Sequence, residues 1–183
     1  MEIIKSSQID EYISKALQGK DTYVLAEYEE DVVSYGVDEN PNFEYCVKHN
    51  LRTTNLGRRG GVFFIKKGDI AFGSIAKGLN NEPAFEVRDK LLQFLKAKGL
   101  NATADGNDIM IDNTYKVFGW SSHYFHNLDK LFIVCHFTMS VDLNTIKNVC
   151  PKPMIKIPKG LNDYGITTED IKNLFLRFEE KYK

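Results

Sequence analysis

No apolar run in this chain of 183 residues approaches the roughly 20 consecutive residues that a membrane-crossing helix needs. Met1 leads into Glu2 and a polar amphipathic segment, without the basic start and apolar stretch of a secretory signal. A soluble, unprocessed protein with no membrane partner is expected. The three cysteines, Cys46, Cys135 and Cys150, are odd in number, widely spaced and outside any C-x-x-C pattern. This spacing argues against a disulfide framework and a zinc ribbon, and it predicts reduced thiols in a cytoplasmic setting with no bound metal. An excess of one charge is missing too. With 24 Lys and Arg against 25 Asp and Glu, the formal net charge of −1 supplies no overall field to draw in nucleic acid. Any partner must therefore be recognised locally.

A hydrophobic content of 43%, with 12% aromatic residues, suits one compact domain over 1–183 that buries its core without staples. Ser6 or Ser7 can cap a helix ending at Gly19, because Ile9, Tyr12, Ile13, Ala16 and Leu17 fall on one face. Residues 22–26 and 32–35 read as short strands about an acidic turn. Asn40-Pro41 is expected to open a short helix through Tyr45 and Cys46, with the proline at its first position. Strands at 62–65 and 69–75 follow, and 83–98 forms the clearest central helix, closed by Gly99. Residues 108–111 and 115–120 then make a hairpin.

The strand at 131–141 is the best in the sequence. Leu131, Ile133, Cys135, Phe137, Met139 and Val141 line one face, and the partly polar face of Phe132, Val134, His136, Thr138 and Ser140 is free to border a site. Pro151, Pro153 and Pro158 predict an extended connector, and Thr167 caps a last helix. Helices and strands are interspersed without a regular strand-helix alternation, so the expected class is α+β with a mixed, mainly antiparallel sheet flanked by helices.

Among chemistry-bearing segments, Leu56-Gly57-Arg58-Arg59-Gly60-Gly61-Val62 stands out. Paired arginines beside paired glycines put fixed cations next to a backbone without side chains, an arrangement able to hold an anion or an acyl chain. The same residues also make ordinary strand-entry turns. On composition alone Lys116 is a solvated surface lysine, Cys150 can pack as a small hydrophobe, and His136 can be a hydrogen-bonded structural histidine. His123 and His126 lack an evident carboxylate or thiolate partner for a metal.

Taken in order, the motifs resemble the biotin/lipoate protein ligase and transferase superfamily. Arg59-Gly60-Gly61 is similar to the Arg-Gly-Gly of lipoyl and octanoyl transferases, and Gly68-Asp69-Ile70 falls where they have a glycine, an amide residue and an aliphatic. Tyr115-Lys116-Val117-Phe118-Gly119 resembles the strand carrying that family's lysine. The segment from His136-Phe137-Thr138 to Asp142-Leu143 resembles its His-Gly strand, and Lys159-Gly160 with Gly165-Ile166-Thr167 its tail.

The resemblance implies a ligase-type catalytic domain that transfers a lipoyl or octanoyl group to a lysine of a small acceptor domain. Arg58, Arg59, Gly60, Gly61, Val62, Gly119, His136 and Thr138 would bind the substrate. Lys116 would serve as the electrostatic and acid/base residue, and Cys150 as an acyl carrier. No cofactor is held tightly; lipoate or octanoate is substrate. An acyl carrier protein is the donor in the transferase reading, and ATP with Mg enters if the chain is instead a lipoate or biotin ligase. This chain departs from the pattern at Ile65, where transferases carry a histidine, at Phe137, where a small residue is usual, and in lacking a third loop glycine. Those departures keep open a catalytically inactive binding module of the same fold.

Overall fold

The computed structural model describes residues 2–5, 15, 17–19, 23–57 and 59–176. The elements, in chain order, are β1(Glu2–Lys5), β2(Tyr23–Glu27), β3(Val32–Tyr35), α1(Phe43–Lys48), β4(Arg52–Asn55), β5(Val62–Ile65), β6(Ile70–Lys77), α2(Glu82–Ala97), β7(Ala102–Asp105), β8(Asp108–Ile111), β9(Tyr115–Phe125), β10(Lys130–Phe137), α3(Leu143–Val149), β11(Ile157–Pro158) and α4(Thr168–Phe175). The helix expected at 6–19 lies largely outside the described residues.

The large sheet runs β1-β2-β6-β10-β9-β8-β7, with β11 beside β9. A small sheet runs β4-β3-β5. Pairing is antiparallel apart from β1 with β2, β9 with β11 and β3 with β4, which matches the mixed, mainly antiparallel α+β class expected. The strands at 23–27 and 32–35 are not a hairpin. β2 pairs with β6 while β3 joins the small sheet, so the acidic turn between them is a bridge between sheets.

β10 shows how the sequence sets the layers. Leu131, Ile133, Cys135 and Phe137 point to one side, where α2 buries Ala84, Val87, Leu91 and Leu95 against them. Phe132 and Val134 point the other way and pack with Val24 and Ala26 of β2, Ala71 of β6, Tyr28, and Ile65 of the small sheet. This second layer is also apolar, which is why only the C-terminal end of that face is free to form a site.

Several boundaries differ from expectation. β10 stops at Phe137 instead of continuing to 141, because the Asp69 carboxylate replaces the sheet ladder. Its Oδ1 accepts Met139 N–H at 2.7 Å and Ser140 N–H at 3.3 Å, and its Oδ2 accepts Lys66 N–H at 3.2 Å. α1 is capped by Asn42 and not Asn40, since the Asn42 side chain accepts Tyr45 N–H while its own N–H donates to Val149 O, each at 3.0 Å. Pro41 therefore precedes the cap. β4, β7 and α3 were not expected from the sequence, and β9 runs five residues beyond its predicted end at 120. α3 is capped by Asp142, whose Oδ1 accepts Thr145 N–H at 3.0 Å.

Candidate active site

One row of paired residues crosses five strands of the large sheet: Ala26, Ala71, His136, Gly119 and Asp108 are successive Cα partners. Neighbours in such a row project to the same face, so Gly119 leaves a trough between the polar His136 and Asp108, while Ala26 and Ala71 are buried beneath the small sheet. The small sheet, α3 and the connector 150–158 roof that trough and leave a cleft of about 610 Å³.

Lys116 reaches the cleft from β9, and its Nζ donates to Asp108 Oδ1 at 2.8 Å. Asp108 Oδ2 in turn accepts Lys156 Nζ at 2.6 Å, and Lys156 also lies 2.8 Å from Asp105 Oδ2. Gly119 has to lack a side chain here. A Cβ on it would sit 2.8 Å from Asp108 Oδ1 and 2.9 Å from Lys116 Nζ, inside the ion pair itself.

His136 borders the middle of the cleft. Its Nε2 is 3.2 Å from the buried Asp69 Oδ2, without the alignment of a hydrogen bond, and its ring meets Tyr28 edge-on at 6.3 Å. Burial, followed by the Asp69 charge, pushes the Tyr28 phenol well above its ordinary range. Thr138, Gly61 and Val62 also line the cleft.

Cys150 lines the cleft at the C-terminal end of α3. It is half-buried, burial pushes its thiol up, and Sγ donates to Val62 O at 3.5 Å. The expectation that Lys116 would favour a Cys150 thiolate has no counterpart here, because the Lys116 ammonium is engaged by Asp108.

The remaining loop residues stand apart. Arg58 lies outside the described residues. Arg59 is 93% exposed and 3.5 Å from Asp38, at the rim and away from the cleft lining. Gly60 packs its backbone on Gly36, where a Cβ would be 2.5 Å from Gly60 N and O, so its contribution is close approach between chain segments. Phe137 is buried in the helix-facing core and does not touch the cleft, whereas Ile65 lines it.

Asp108 was missed as a site residue. In the sequence it reads as the start of a hairpin strand, and its partners come from 8 and 48 positions away.

At Gly61 an added Cβ meets Phe63 at 3.6 Å, an ordinary contact that the fold accommodates. Gly61→Val should therefore melt within a few degrees of the parent while losing most ligand affinity, since the branched side chain would project toward cleft space. Unchanged affinity by titration calorimetry would remove the loop from the site.

No family model matches the chain, and no curated protein matches it. Its frame is nevertheless the mixed α+β fold of lipoate–protein ligase catalytic domains. A lipoate–protein ligase A bound with ATP superposes with a TM-score of 0.74 at 18% identity, covering 97% of this chain and 83% of that one. A bi-partite lipoate protein ligase from Thermoplasma acidophilum, described with its E2 lipoyl domain, gives 0.73 at 16% identity over 97% and 81%. P. falciparum LipL1 in complex with lipoate gives 0.70 at 15% identity over 99% and 62%.

Proposed function

We propose that this protein attaches a lipoyl or similar medium-chain acyl group to a lysine of a small acceptor domain, with the acid activated by ATP. The observation that carries the reading is the cleft itself, an apolar trough that ends in a lysine held by a carboxylate. An acyl chain would lie along Val62, Ile65 and Val134, which line the cleft, with its carboxyl end past Gly119 at Lys116. There the ammonium, oriented by Asp108, would stabilise negative charge on the carboxylate and on the activated acid as the acceptor amine attacks. Similar folds are described with lipoate, with ATP and with an E2 lipoyl domain, which supports the same substrates and the same kind of partner here.

A thiol acyl carrier needs thiolate character, and a half-buried Cys150 whose thiol burial pushes up supplies little of that at neutral pH. One observation favours the thioester-driven transferase as second reading: Cys150 does face the cleft. Intact-protein mass spectrometry separates the two. With lipoate, ATP and Mg, an acceptor domain should gain one lipoyl mass, and Cys150→Ala should act like the parent. If acylation instead needs an octanoyl carrier protein, proceeds without ATP and stops in Cys150→Ala, the ATP reading falls and the transferase stands. Binding of the acid with no transfer from either donor would identify a non-catalytic module, the reading raised by the departure at Ile65.

A further inference from the structure

The connector 151–158 crosses the cleft and is fastened at both ends by lysines. Lys152 pairs with Glu39, while Lys156 bridges Asp105 and Asp108. Immediately after Lys156, Ile157 and Pro158 pair with Tyr115 and Lys116, and Lys159 N–H donates to Lys116 O at 2.9 Å. The backbone that carries Lys156 is therefore laid beside the backbone that carries Lys116.

Asp108 is shared between them. Its Oδ1 takes Lys116 and its Oδ2 takes Lys156, at 2.8 and 2.6 Å, and its side chain is 15% exposed. Hydrogen bonds to Asp105 and then Asp108 push Lys156 above its ordinary range, so it stays an ammonium at any working pH.

A carboxylate this enclosed competes with any anionic substrate for Lys116. If Lys116 turned to a substrate and left Asp108 alone, a half-desolvated charge would lose its partner, which is costly. A second fixed cation on the other oxygen removes that cost. We propose that Lys156 is a positioning residue of the site: by holding Asp108 through Oδ2, it keeps that carboxylate neutralised and in place when Lys116 leaves Oδ1 for an anionic acyl substrate. The inference rests on Lys116 being the cation that receives the acid. It makes the connector part of the binding machinery instead of a passive roof.

The four charges Lys116, Lys156, Asp108 and Asp105 sum to zero, and loss of Lys156 leaves −1 facing the incoming acid. Lys156→Gln should weaken lipoate binding by roughly tenfold, within the range in which members of one ion-pair network couple. Lys156→Arg should restore it, because a guanidinium can still reach both carboxylates. The decisive variant is Lys156→Gln combined with Asp108→Asn. With the competing carboxylate gone, the second cation is no longer needed and affinity should return to within about threefold of the parent.

All are measured by titration calorimetry with lipoate on the whole chain, beside a thermal melt. If Lys156→Gln weakened binding merely by loosening the connector, the added Asp108→Asn would not rescue it, and the proposal would be overturned. Unchanged affinity in Lys156→Gln overturns it as well. If Lys116→Ala leaves lipoate affinity unaltered, the reading of the cleft as an acid site falls and this inference falls with it. A loss in Lys116→Ala without one in Lys156→Gln removes the inference alone.

Discussion

Lys116→Ala should leave a folded protein that binds acid weakly and transfers it about 10²–10⁴-fold more slowly, the range expected when a positioned proton-transfer group is lost. Folding should survive because Lys116 is a partly exposed ion-pair member, for which the stability contribution is small. Its partner is not stranded either, since Lys156 still holds Asp108 Oδ2 at 2.6 Å. The rate effect has a different origin. A cation aimed into a cleft with apolar walls acts on developing charge in a medium far less polarisable than water, so its removal is felt mainly in the transition state. The measurement is single-turnover acylation of a lipoyl acceptor domain followed by mass, with kcat separated from KM. A loss of less than threefold would deny Lys116 its role and move attention to Lys156, the ammonium on the other oxygen of Asp108. Lys116→Arg should recover affinity better than rate, since its charge remains while its bulk and proton affinity do not suit the exchange.

How much of this was legible beforehand follows the range of the interactions involved. β10 and α2 were readable because each is specified by its own residues: alternation at Leu131, Ile133 and Cys135, and helical spacing at Val87, Leu91 and Leu95. The Gly61-Val62 and Lys116-Gly119 segments could be placed in one pocket through their resemblance to a family, which local chemistry alone would not have shown. The misreadings share another cause. β10 looks like a strand through 141 by alternation, yet Asp69, some 70 positions away, takes the N–H groups of Met139 and Ser140 out of the ladder. The cap of α1 moves from Asn40 to Asn42 because Asn42 N–H finds Val149 O across the fold. Asp108 escaped notice because its function exists only once β8, β9 and the connector are brought together. Arg59 erred in the other direction: a residue singled out by sequence type stands 93% exposed at the rim, because its strand-entry loop presents Gly61 and Val62 inward instead.

Asp69→Ala should be the most destabilising single change, lowering unfolding free energy by about 3–5 kcal/mol, a large share of the roughly 5–15 kcal/mol a domain possesses. The Asp69 side chain is 1% exposed and accepts backbone N–H groups from Met139, Ser140 and Lys66. Each N–H left unsatisfied in the interior costs about 1–3 kcal/mol. The consequence reaches the cleft. These bonds turn the chain away from β10 toward α3, and that turn sets where Thr138, Ser140 and Cys150 enter the lining. Asp69→Asn separates the electrostatic part from the geometric one. One amide oxygen can still accept from Met139, but the amide nitrogen must then face the Lys66 N–H, so a cost of about 1–2 kcal/mol is expected, with the cleft largely preserved. Urea unfolding followed by circular dichroism and Trp120 fluorescence measures both. If Asp69→Ala lost less than 1 kcal/mol, the segment after Phe137 would have to be held by its own packing, and the Asp69 carboxylate would not be what ends the strand.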